Sequence, residues 1–198
     1  MKAEHYFTKQ PTSSLQPHIF YARLRGSMLT FTTGSGVFSP KKIDLGTQLL
    51  IEETVLKPDW DVLDLGCGYG PVGIALAKAE PSARIVMSDV NMRAVKLARL
   101  NAKQNKVMLT VRQSNVFEAV PELFDAILLN PPQTAGKKLC EQMITEAKDH
   151  LKQNGLLQVV ARHQKGGREL EKHMKAVFGN VEERAKQSGY RVYVSKKD

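Results

Sequence analysis

The sequence has 198 residues, of which 42% are hydrophobic and 25% are charged. These proportions are ordinary for a globular domain and exclude a fibrous or largely disordered chain, and the length fits one domain. Lysine and arginine number 29 against 20 aspartates and glutamates, a formal net charge of +9. Such an excess of positive charge favours polyanionic partners such as nucleic acid.

Cysteine and histidine usage argues against a metal site or a disulfide framework. Cys67 and Cys140 are the only cysteines, and His150, His163 and His173 do not have the spacing of metal ligands. The first ten residues contain no apolar core of signal-peptide length, and no run of about 18 apolar residues occurs. We therefore expect a cytoplasmic protein without a membrane span or a bound metal.

The amino-terminal part of the chain is predicted to form a β-hairpin. Residues 19–33 alternate apolar and polar side chains around Gly26-Ser27, where glycine suits a tight turn. A glycine-rich loop follows at residues 33–36. Asp44 then has the character of an N-cap, and it precedes a predicted helix that continues to Lys57-Pro58-Asp59.

From residue 62 onward, short apolar runs alternate with longer helical patterns. The predicted strands are residues 62–65, 84–88, 109–112, 126–129 and 156–160. The predicted helices are residues 72–78, 92–103, 137–151 and 168–178. This order predicts a doubly wound α/β fold with a mainly parallel sheet. Residues 181–185 and 190–195 follow without an intervening helix, which predicts a terminal antiparallel hairpin.

The first predicted strand of the α/β part runs directly into a glycine-rich turn at residues 66–70. Such a turn at the carboxyl edge of a parallel sheet lets a nucleotide-like cofactor approach the backbone closely. Gly68, Gly70 and Gly73 also match the G-x-G-x-x-G dinucleotide pattern, with Asp89 as a ribose ligand. A nicotinamide oxidoreductase is therefore one interpretation, and a simple tight turn between strand and helix is another.

Two details favour S-adenosylmethionine as the cofactor. Asp64 precedes the first glycine by two residues, so it could hold the ammonium group of the methyl donor directly or through water. Asp89 could accept hydrogen bonds from both ribose hydroxyls. Pro71 occupies a position where a pyrophosphate would favour a small residue with a free N–H, and S-adenosylmethionine has no phosphates.

The segment Asn130-Pro131-Pro132 ends another apolar strand. Two consecutive prolines impose a rigid, extended exit from the sheet. Two carbonyls left free of helix pairing, together with the Asn130 side-chain oxygen, could accept both hydrogens of an amino group and orient its nitrogen toward a methyl donor. A loop that merely ends the strand is the alternative.

Residues 64–70 and 130–132 together resemble the signature pair of class I amino-methyltransferases. Three motifs further resemble the ribosomal RNA small-subunit methyltransferase C family, namely Gly36-Val37-Phe38-Ser39, Asp44-x-Gly46-Thr47 and Asn130-Pro131-Pro132-x-x-x-Gly136-Lys137. The resemblance extends from about His5 to the C-terminus. It implies a Rossmann-like class I fold in a single domain, residues 1–198, in which residues 1–43 form the hairpin and a substrate-covering loop and residues 44–198 form the catalytic core.

The resemblance implies methyl transfer from S-adenosylmethionine to the N2 amino group of guanine in small-subunit, 16S-type ribosomal RNA. The implied partner is ribosomal RNA or the small ribosomal subunit. Methylation of a DNA adenine or a protein glutamine stays open, because both use the same Asn-Pro-Pro geometry. A nicotinamide oxidoreductase and an RNA-binding module without a cofactor are the alternatives from other classes.

Site residues follow from the motifs and the resemblance together. The expected cofactor contacts are Asp64, Gly66, Gly68, Gly70, Asp89, Asn115 and Asn130. The expected catalytic residues are Asn130, Pro131 and Pro132, and the expected substrate contacts are Phe38, Gln133 and Lys137. Asn115 stands where an acidic residue is more usual in the family.

The sequence also departs from the family directly after Asn-Pro-Pro. Gln133 and Thr134 replace an apolar or aromatic residue and a basic or imidazole residue that this family often shows. Phe38 is then our candidate for stacking on an extruded base. A buried core position is the competing interpretation for Phe38.

Overall fold

The computed structural model describes residues 14–198. The strands are β1 (Pro17–Leu24), β2 (Ser27–Gly34), β3 (Asp61–Leu65), β4 (Arg84–Asp89), β5 (Thr110–Gln113), β6 (Phe124–Leu129), β7 (Leu151–Arg162), β8 (Glu182–Gln187) and β9 (Tyr190–Lys196). The α-helices are α1 (Leu45–Glu53), α2 (Pro71–Ala79), α3 (Met92–Gln104), α4 (Lys137–Asp149) and α5 (Arg168–Phe178). Residues 1–13, which include His5 and belong to the predicted hairpin and substrate-covering loop, lie outside the described residues.

Seven strands form one sheet in the order β5-β4-β3-β6-β7-β9-β8. Strands β3 to β7 pair in parallel, whereas β9 pairs antiparallel with β7 and β8 antiparallel with β9. Strands β1 and β2 form a separate antiparallel hairpin. The predicted α/β fold, with a mainly parallel sheet, an antiparallel pair of strands at the carboxyl terminus and a β-hairpin at the amino terminus, is confirmed. The chain changes direction across the sheet between β3 and β6, and such a switch point opens a crevice at the carboxyl edge.

Both faces of the sheet are covered, which explains why its central strands are largely apolar. Val62 of β3 packs into the core on the side of α1, α2 and α3, while Leu63 and Leu65 pack into the core on the side of α4 and α5. Because side chains alternate along a strand, Asp64 shares the face of Val62. A carboxyl group on a face that is otherwise core points to a role beyond packing.

Helix α1 begins as predicted but ends earlier. Asp44 caps it by accepting hydrogen bonds from the backbone N–H groups of Gly46 and Thr47. The helix stops at Glu53 rather than near Lys57, because the Gln158 carboxamide of β7 takes both backbone groups of Val55, accepting from its N–H at 2.8 Å and donating to its carbonyl at 2.9 Å. The prediction of helix up to Pro58 is therefore wrong.

A second difference between the predicted and the observed elements lies at the junction of α4 and β7. Helix α4 ends at Asp149, and Leu151 begins β7 rather than ending the helix. Leu151 is fully buried and its register places it opposite Phe124 of β6. Sheet pairing with β6 therefore takes this residue out of the predicted helix.

The amino-terminal hairpin is attached to α3 by two asparagine side chains. The Asn101 carboxamide accepts from the Thr32 N–H at 2.7 Å and donates to the Thr32 carbonyl at 2.9 Å. Asn105 pairs with Thr30 in the same way, at 2.9 and 2.7 Å. These amides occupy the hydrogen-bonding positions along β2 that a third strand would fill. The hairpin is therefore held to the core by side chains.

We expect Asn101→Ala to lower the free energy of unfolding by about 3 kcal/mol, since buried backbone groups lose their partners. Gln104→Ala is the matched control on the same helix, because its Oε1 accepts from the exposed Thr32 hydroxyl at 3.2 Å. Gln104→Ala should lower the free energy of unfolding by less than about 1 kcal/mol. Urea unfolding followed by circular dichroism measures both variants, and equal losses would contradict a special role for Asn101.

Candidate active site

A cleft opens at the carboxyl edge of the sheet, where β3 and β6 diverge. The cleft holds ≈ 1070 Å³ of empty space, part of which is continuous with open solvent. The structure brings together in this cleft nine of the residues singled out from the sequence, namely Phe38, Asp64, Gly66, Gly68, Asp89, Asn115, Asn130, Pro131 and Pro132. The residues therefore meet although they come from distant parts of the chain.

The glycine-rich turn forms the floor of the cleft. The backbone N–H groups of Gly66 and Cys67 donate to the Ser88 carbonyl at 2.8 and 2.9 Å, so the turn is anchored on β4. Gly68 has a φ of +57°, and no atom lies within 4 Å of the position that a Cβ would take there. This left-handed glycine leaves the space above the turn open for a ligand.

Asp64 places a buried carboxyl group behind this turn. Its side chain is 4% exposed, and Oδ2 accepts a hydrogen bond from the Gly73 N–H at 2.9 Å. Burial is the largest cause that raises the pKa of Asp64 to about 7, and the nearby charge of Asp89 raises it further while the Gly73 hydrogen bond opposes the shift. A cationic ligand group in the cleft would favour the ionised form of this carboxyl.

Asp89 ends β4 on the other side of the turn. Oδ2 accepts from the Gly68 N–H and Oδ1 from the Asn91 N–H, each at 2.8 Å. Burial raises the pKa of Asp89, while these backbone hydrogen bonds oppose the shift. Each carboxylate oxygen keeps a second lone pair, so Asp89 can still accept from a ligand that carries two hydroxyls.

Ser88, next to Asp89 in β4, has a hydroxyl group without a partner in the described part of the chain. Its Oγ is buried and has no hydrogen-bond partner among the described residues, yet Ser88 lines the cleft. Buried hydroxyls are normally paired. The carboxyl groups of Asp64 and Asp89 fit a ligand that carries amino and hydroxyl groups, as S-adenosylmethionine does.

Asn130 lies at the mouth of the crevice, where β6 ends. Its Nδ2 donates to the Thr47 hydroxyl oxygen at 2.9 Å. The carbonyls of Pro131 and Pro132 accept from the N–H groups of Gln133 and Ala135 at 2.8 and 2.7 Å. The expectation that two carbonyls stay free here is therefore wrong for the prolines, because a short 3₁₀ turn uses them. The Asn130 side-chain oxygen accepts no hydrogen bond from the described residues and is available to a substrate, whereas each proline carbonyl keeps only its second lone pair.

Phe38 is 40% exposed and lines the same cleft. The interpretation of Phe38 as a core residue is therefore wrong. The neighbouring loop is held by the Asn91 Nδ2, which donates to the Gly36 carbonyl at 2.8 Å. An aromatic face at this place is suited to contact a flat ligand.

Three predicted contacts do not line the cleft. Gly70 is the N-cap of α2, and a Cβ there would lie 3.0 Å from Ile74 and 3.1 Å from Met87, so it packs inward. The Gln133 carboxamide binds the backbone of Arg162 and Lys165 at 3.3 and 2.9 Å. These positions therefore do not support a cofactor contact at Gly70 or a substrate contact at Gln133.

Lys137 likewise stands outside the cleft. Its Nζ forms an ion pair with Glu141 one turn along α4, at 3.4 Å. Thr47, by contrast, lines the cleft and contacts Asn130, although sequence reasoning assigned it no role. The signal was present in Asp44-x-Gly46-Thr47, but the pattern read locally indicates only a helix cap.

Within residues 14–198, no helix has both the length and the apolar character needed to cross a membrane. No group of three or more histidine, cysteine, aspartate or glutamate side chains in the described part of the chain could hold a metal ion.

Comparison with known proteins places this geometry in a family. The family model described as methyltransferase small domain matches residues 28–194. The chain is 37% identical over 200 residues to the uncharacterized protein YbxB of Bacillus subtilis (strain 168), covering 98% of this chain and 99% of that protein. It is 39% identical over 137 residues to ribosomal RNA small subunit methyltransferase C of Haemophilus influenzae (strain PittGG), covering 67% of this chain and 42% of that protein.

A solved structure extends the comparison to three dimensions. The T. thermophilus 16S rRNA N2 methyltransferase, in complex with AdoMet and guanosine, superposes with a TM-score of 0.82 at 27% identity, over 95% of this chain and 52% of that one. The chain thus spans about half the length of the ribosomal RNA methyltransferases it matches. The matched region contains both the glycine-rich turn and Asn-Pro-Pro, and the predicted resemblance is confirmed. The chain belongs to the methyltransferase small domain family.

Proposed function

We propose that this protein is an S-adenosylmethionine-dependent methyltransferase that modifies an exocyclic amino group of a nucleic-acid base, namely N2 of guanine in small-subunit ribosomal RNA. The observation that carries the proposal is the meeting of Asp64, Asp89 and Asn130 in one cleft. AdoMet and guanosine in the T. thermophilus relative support both the cofactor and the base. Ribosomal RNA as the substrate implies work in the cytoplasm.

In this proposal the cofactor lies across the glycine-rich turn. Asp64 holds its amino group, Asp89 accepts from the ribose hydroxyls, and Asn115 lies beside the adenine. When bound, S-adenosylmethionine supplies an electrophilic methyl group on a sulfonium. Gly66 and Gly68 supply open backbone over which that ligand fits, consistent with the free space above Gly68.

The protein's contribution to the reaction is mainly orientation. Asn130 Oδ1 accepts a hydrogen from the substrate amino group and so directs the nitrogen lone pair toward the methyl group. Pro131 and Pro132 fix the backbone on which Asn130 stands. Phe38 stacks on the base from the covering loop. Residues 1–43 act as the cover and residues 44–198 as the core of one domain.

The distribution of charge supports RNA as the partner. Five exposed basic residues on the carboxyl side of the sheet form no ion pair with the described residues, namely Lys41, Lys42, Lys165, Arg168 and Lys186. At the opposite edge, Arg84 and Lys152 are paired with Asp61, and Lys152 also with Asp125. Cations that are left unneutralised on the carboxyl side of the sheet are available to phosphates.

We expect the double variant Lys165→Ala, Lys186→Ala to weaken RNA binding about tenfold and to lower the salt slope of log K by about 2. Lys103→Ala is the control, because Lys103 lies in the last turn of α3 and is also exposed. Fluorescence anisotropy with a labelled ribosomal RNA hairpin at several salt concentrations measures both. Equal losses in the control would argue against a binding role for this edge.

Calorimetric titration with S-adenosylhomocysteine and, separately, with NAD tests the cofactor. Micromolar binding of the former alone agrees with the proposal, and binding of NAD alone would favour the oxidoreductase. Radiolabelled methyl transfer is then compared on naked 16S ribosomal RNA, small subunits, adenine-containing DNA and a glutamine peptide. Label on N2 of guanine supports the proposed substrate, and label on adenine or glutamine would replace it.

A further inference from the structure

Three polar side chains form a continuous hydrogen-bonded chain from the start of α1 to the end of β6. Asn130 Nδ2 donates to Thr47 Oγ1 at 2.9 Å. The Thr47 hydroxyl donates in turn to Asp44 Oδ2. The other oxygen of that carboxylate, Oδ1, accepts from the N–H groups of Gly46 and Thr47 at 3.0 and 3.2 Å. Asp44, Thr47 and Asn130 all line the cleft.

The order of donors and acceptors in this chain determines which way the Asn130 amide faces. A carboxylate only accepts, so the single hydrogen of the Thr47 hydroxyl points to Asp44. Thr47 Oγ1 can then only accept from Asn130, and only the NH₂ end of the amide can donate. The carbonyl end, Oδ1, is therefore turned away from Thr47. Without the chain, the two ends of the amide could exchange places, because they are nearly equal in size.

We propose that Asp44 and Thr47 are positioning residues that select amino groups as methyl acceptors. They hold Asn130 so that it presents an acceptor, which pairs with a substrate N–H. A reversed amide would present an NH₂ group, which clashes electrostatically with an amino substrate and suits a carbonyl or ring nitrogen instead. This inference rests on the proposed function, and neither Asp44 nor Thr47 touches the reacting atoms.

Helix capping does not account for the Thr47 hydroxyl. The cap consists of Asp44 Oδ1 and the backbone N–H groups of Gly46 and Thr47, so it does not require the hydrogen bond that Asn130 donates to the Thr47 hydroxyl. Thr47 is nevertheless 4% exposed and turned inward. Its hydroxyl connects α1 to a residue 83 positions away in the sequence, which is the connection expected of a group that serves the site.

The test compares four variants in single-turnover and steady-state methyl transfer. Thr47→Val keeps the shape of the side chain but removes the hydroxyl, and we expect kcat to fall about 30-fold while KM for RNA changes less than about threefold. Thr47→Ser restores the hydroxyl and should return kcat to within about threefold of wild type. Asp44→Asn keeps the cap acceptor but offers a donor to Thr47, which frees the hydroxyl hydrogen, so kcat should fall as in Thr47→Val.

Thr54→Val is the matched control at the other end of α1. The Thr54 hydroxyl is buried as well and donates to the Leu50 carbonyl at 2.6 Å. This variant should lower the melting temperature and leave kcat unchanged. Calorimetric titration with S-adenosylhomocysteine separates positioning from loss of cofactor binding, since the proposal expects its affinity to be unchanged in Thr47→Val.

A second readout does not depend on activity. In the wild-type protein, NMR should show a slowly exchanging side-chain amide hydrogen on Asn130, which Thr47→Val abolishes and Thr47→Ser keeps. If Thr47→Val retains full kcat, or loses no more than Thr54→Val, the proposal is overturned. If the amide signal behaves as expected but the wild-type protein methylates no amino substrate, the orientation of Asn130 stands and the proposed function fails instead.

Discussion

Asn130→Ala should reduce the rate of methyl transfer at least about 100-fold, because the substrate amino group loses the acceptor that aligns its lone pair. The affinity for S-adenosylhomocysteine should change little, since the buried carboxyls Asp64 and Asp89 and the glycine-rich turn are unaltered. The variant should also fold, because the lost hydrogen bond to Thr47 lies at the wall of an open cleft. Single-turnover methyl transfer at saturating cofactor measures the rate.

The cofactor titration is the control for this variant. A large loss of cofactor affinity in Asn130→Ala, with the rate at saturation unchanged, would move Asn130 from the substrate side to the cofactor side of the cleft. An unchanged rate with unchanged affinity would remove Asn130 from the mechanism altogether. The change in kcat therefore has to be read at a cofactor concentration that saturates the variant itself.

The second large effect is a pH dependence of cofactor affinity that originates from Asp64. Burial raises the pKa of this carboxyl to about 7, and the ammonium of the ligand binds its ionised form. Affinity is therefore highest above that pKa and falls as the pH is lowered through it, by about tenfold per unit once the carboxyl is protonated. Titrations with S-adenosylhomocysteine between about pH 6 and pH 8, one unit either side of the pKa of about 7, measure this slope.

Asp64→Asn provides the matched comparison. The amide keeps the size of the side chain and can still accept from the Gly73 N–H, but it carries no charge. Its affinity at pH 7.5 should be about tenfold or more below that of the wild type, because a charge-assisted hydrogen bond is lost. Most of the slope with pH should disappear. A slope that persists unchanged would assign the titration to another group, such as Asp89, whose pKa burial also raises.

Much of the fold follows from local patterns in the sequence. The alternation of short apolar runs with amphipathic segments predicts the parallel sheet, and Asp44 predicts the start of α1. The errors occur where a distant side chain or strand takes over the backbone. Gln158 ends α1 by pairing with Val55 across 103 positions, and β6 draws Leu151 into the sheet. Local periodicity carries no information about such partners.

The same contrast between local patterns and contacts with distant residues holds for the residues of the site. Residues at the end of a strand or directly after it, such as Asp89 and Asn130, are predictable because parallel strands bring their carboxyl ends to one edge. Gln133 is next to Asn-Pro-Pro in the sequence, yet its side chain turns to the segment after β7. Thr47 is the converse case: it lies far from Asn130 in the sequence and contacts it only in the folded chain, so no local pattern predicts its role. Adjacency to a motif is thus a weaker guide than position at a strand end.

The asparagine attachment of the hairpin has a thermodynamic consequence. Asn101 Nδ2 donates both to the Thr32 carbonyl of β2 and to the Tyr69 carbonyl of the glycine-rich turn, each at 2.9 Å. One carboxamide therefore links the cover to the floor of the cleft. A ligand that stiffens the turn also makes local opening of the hairpin less frequent, so the amide of Thr32 exchanges its hydrogen with solvent more slowly when the cleft is filled.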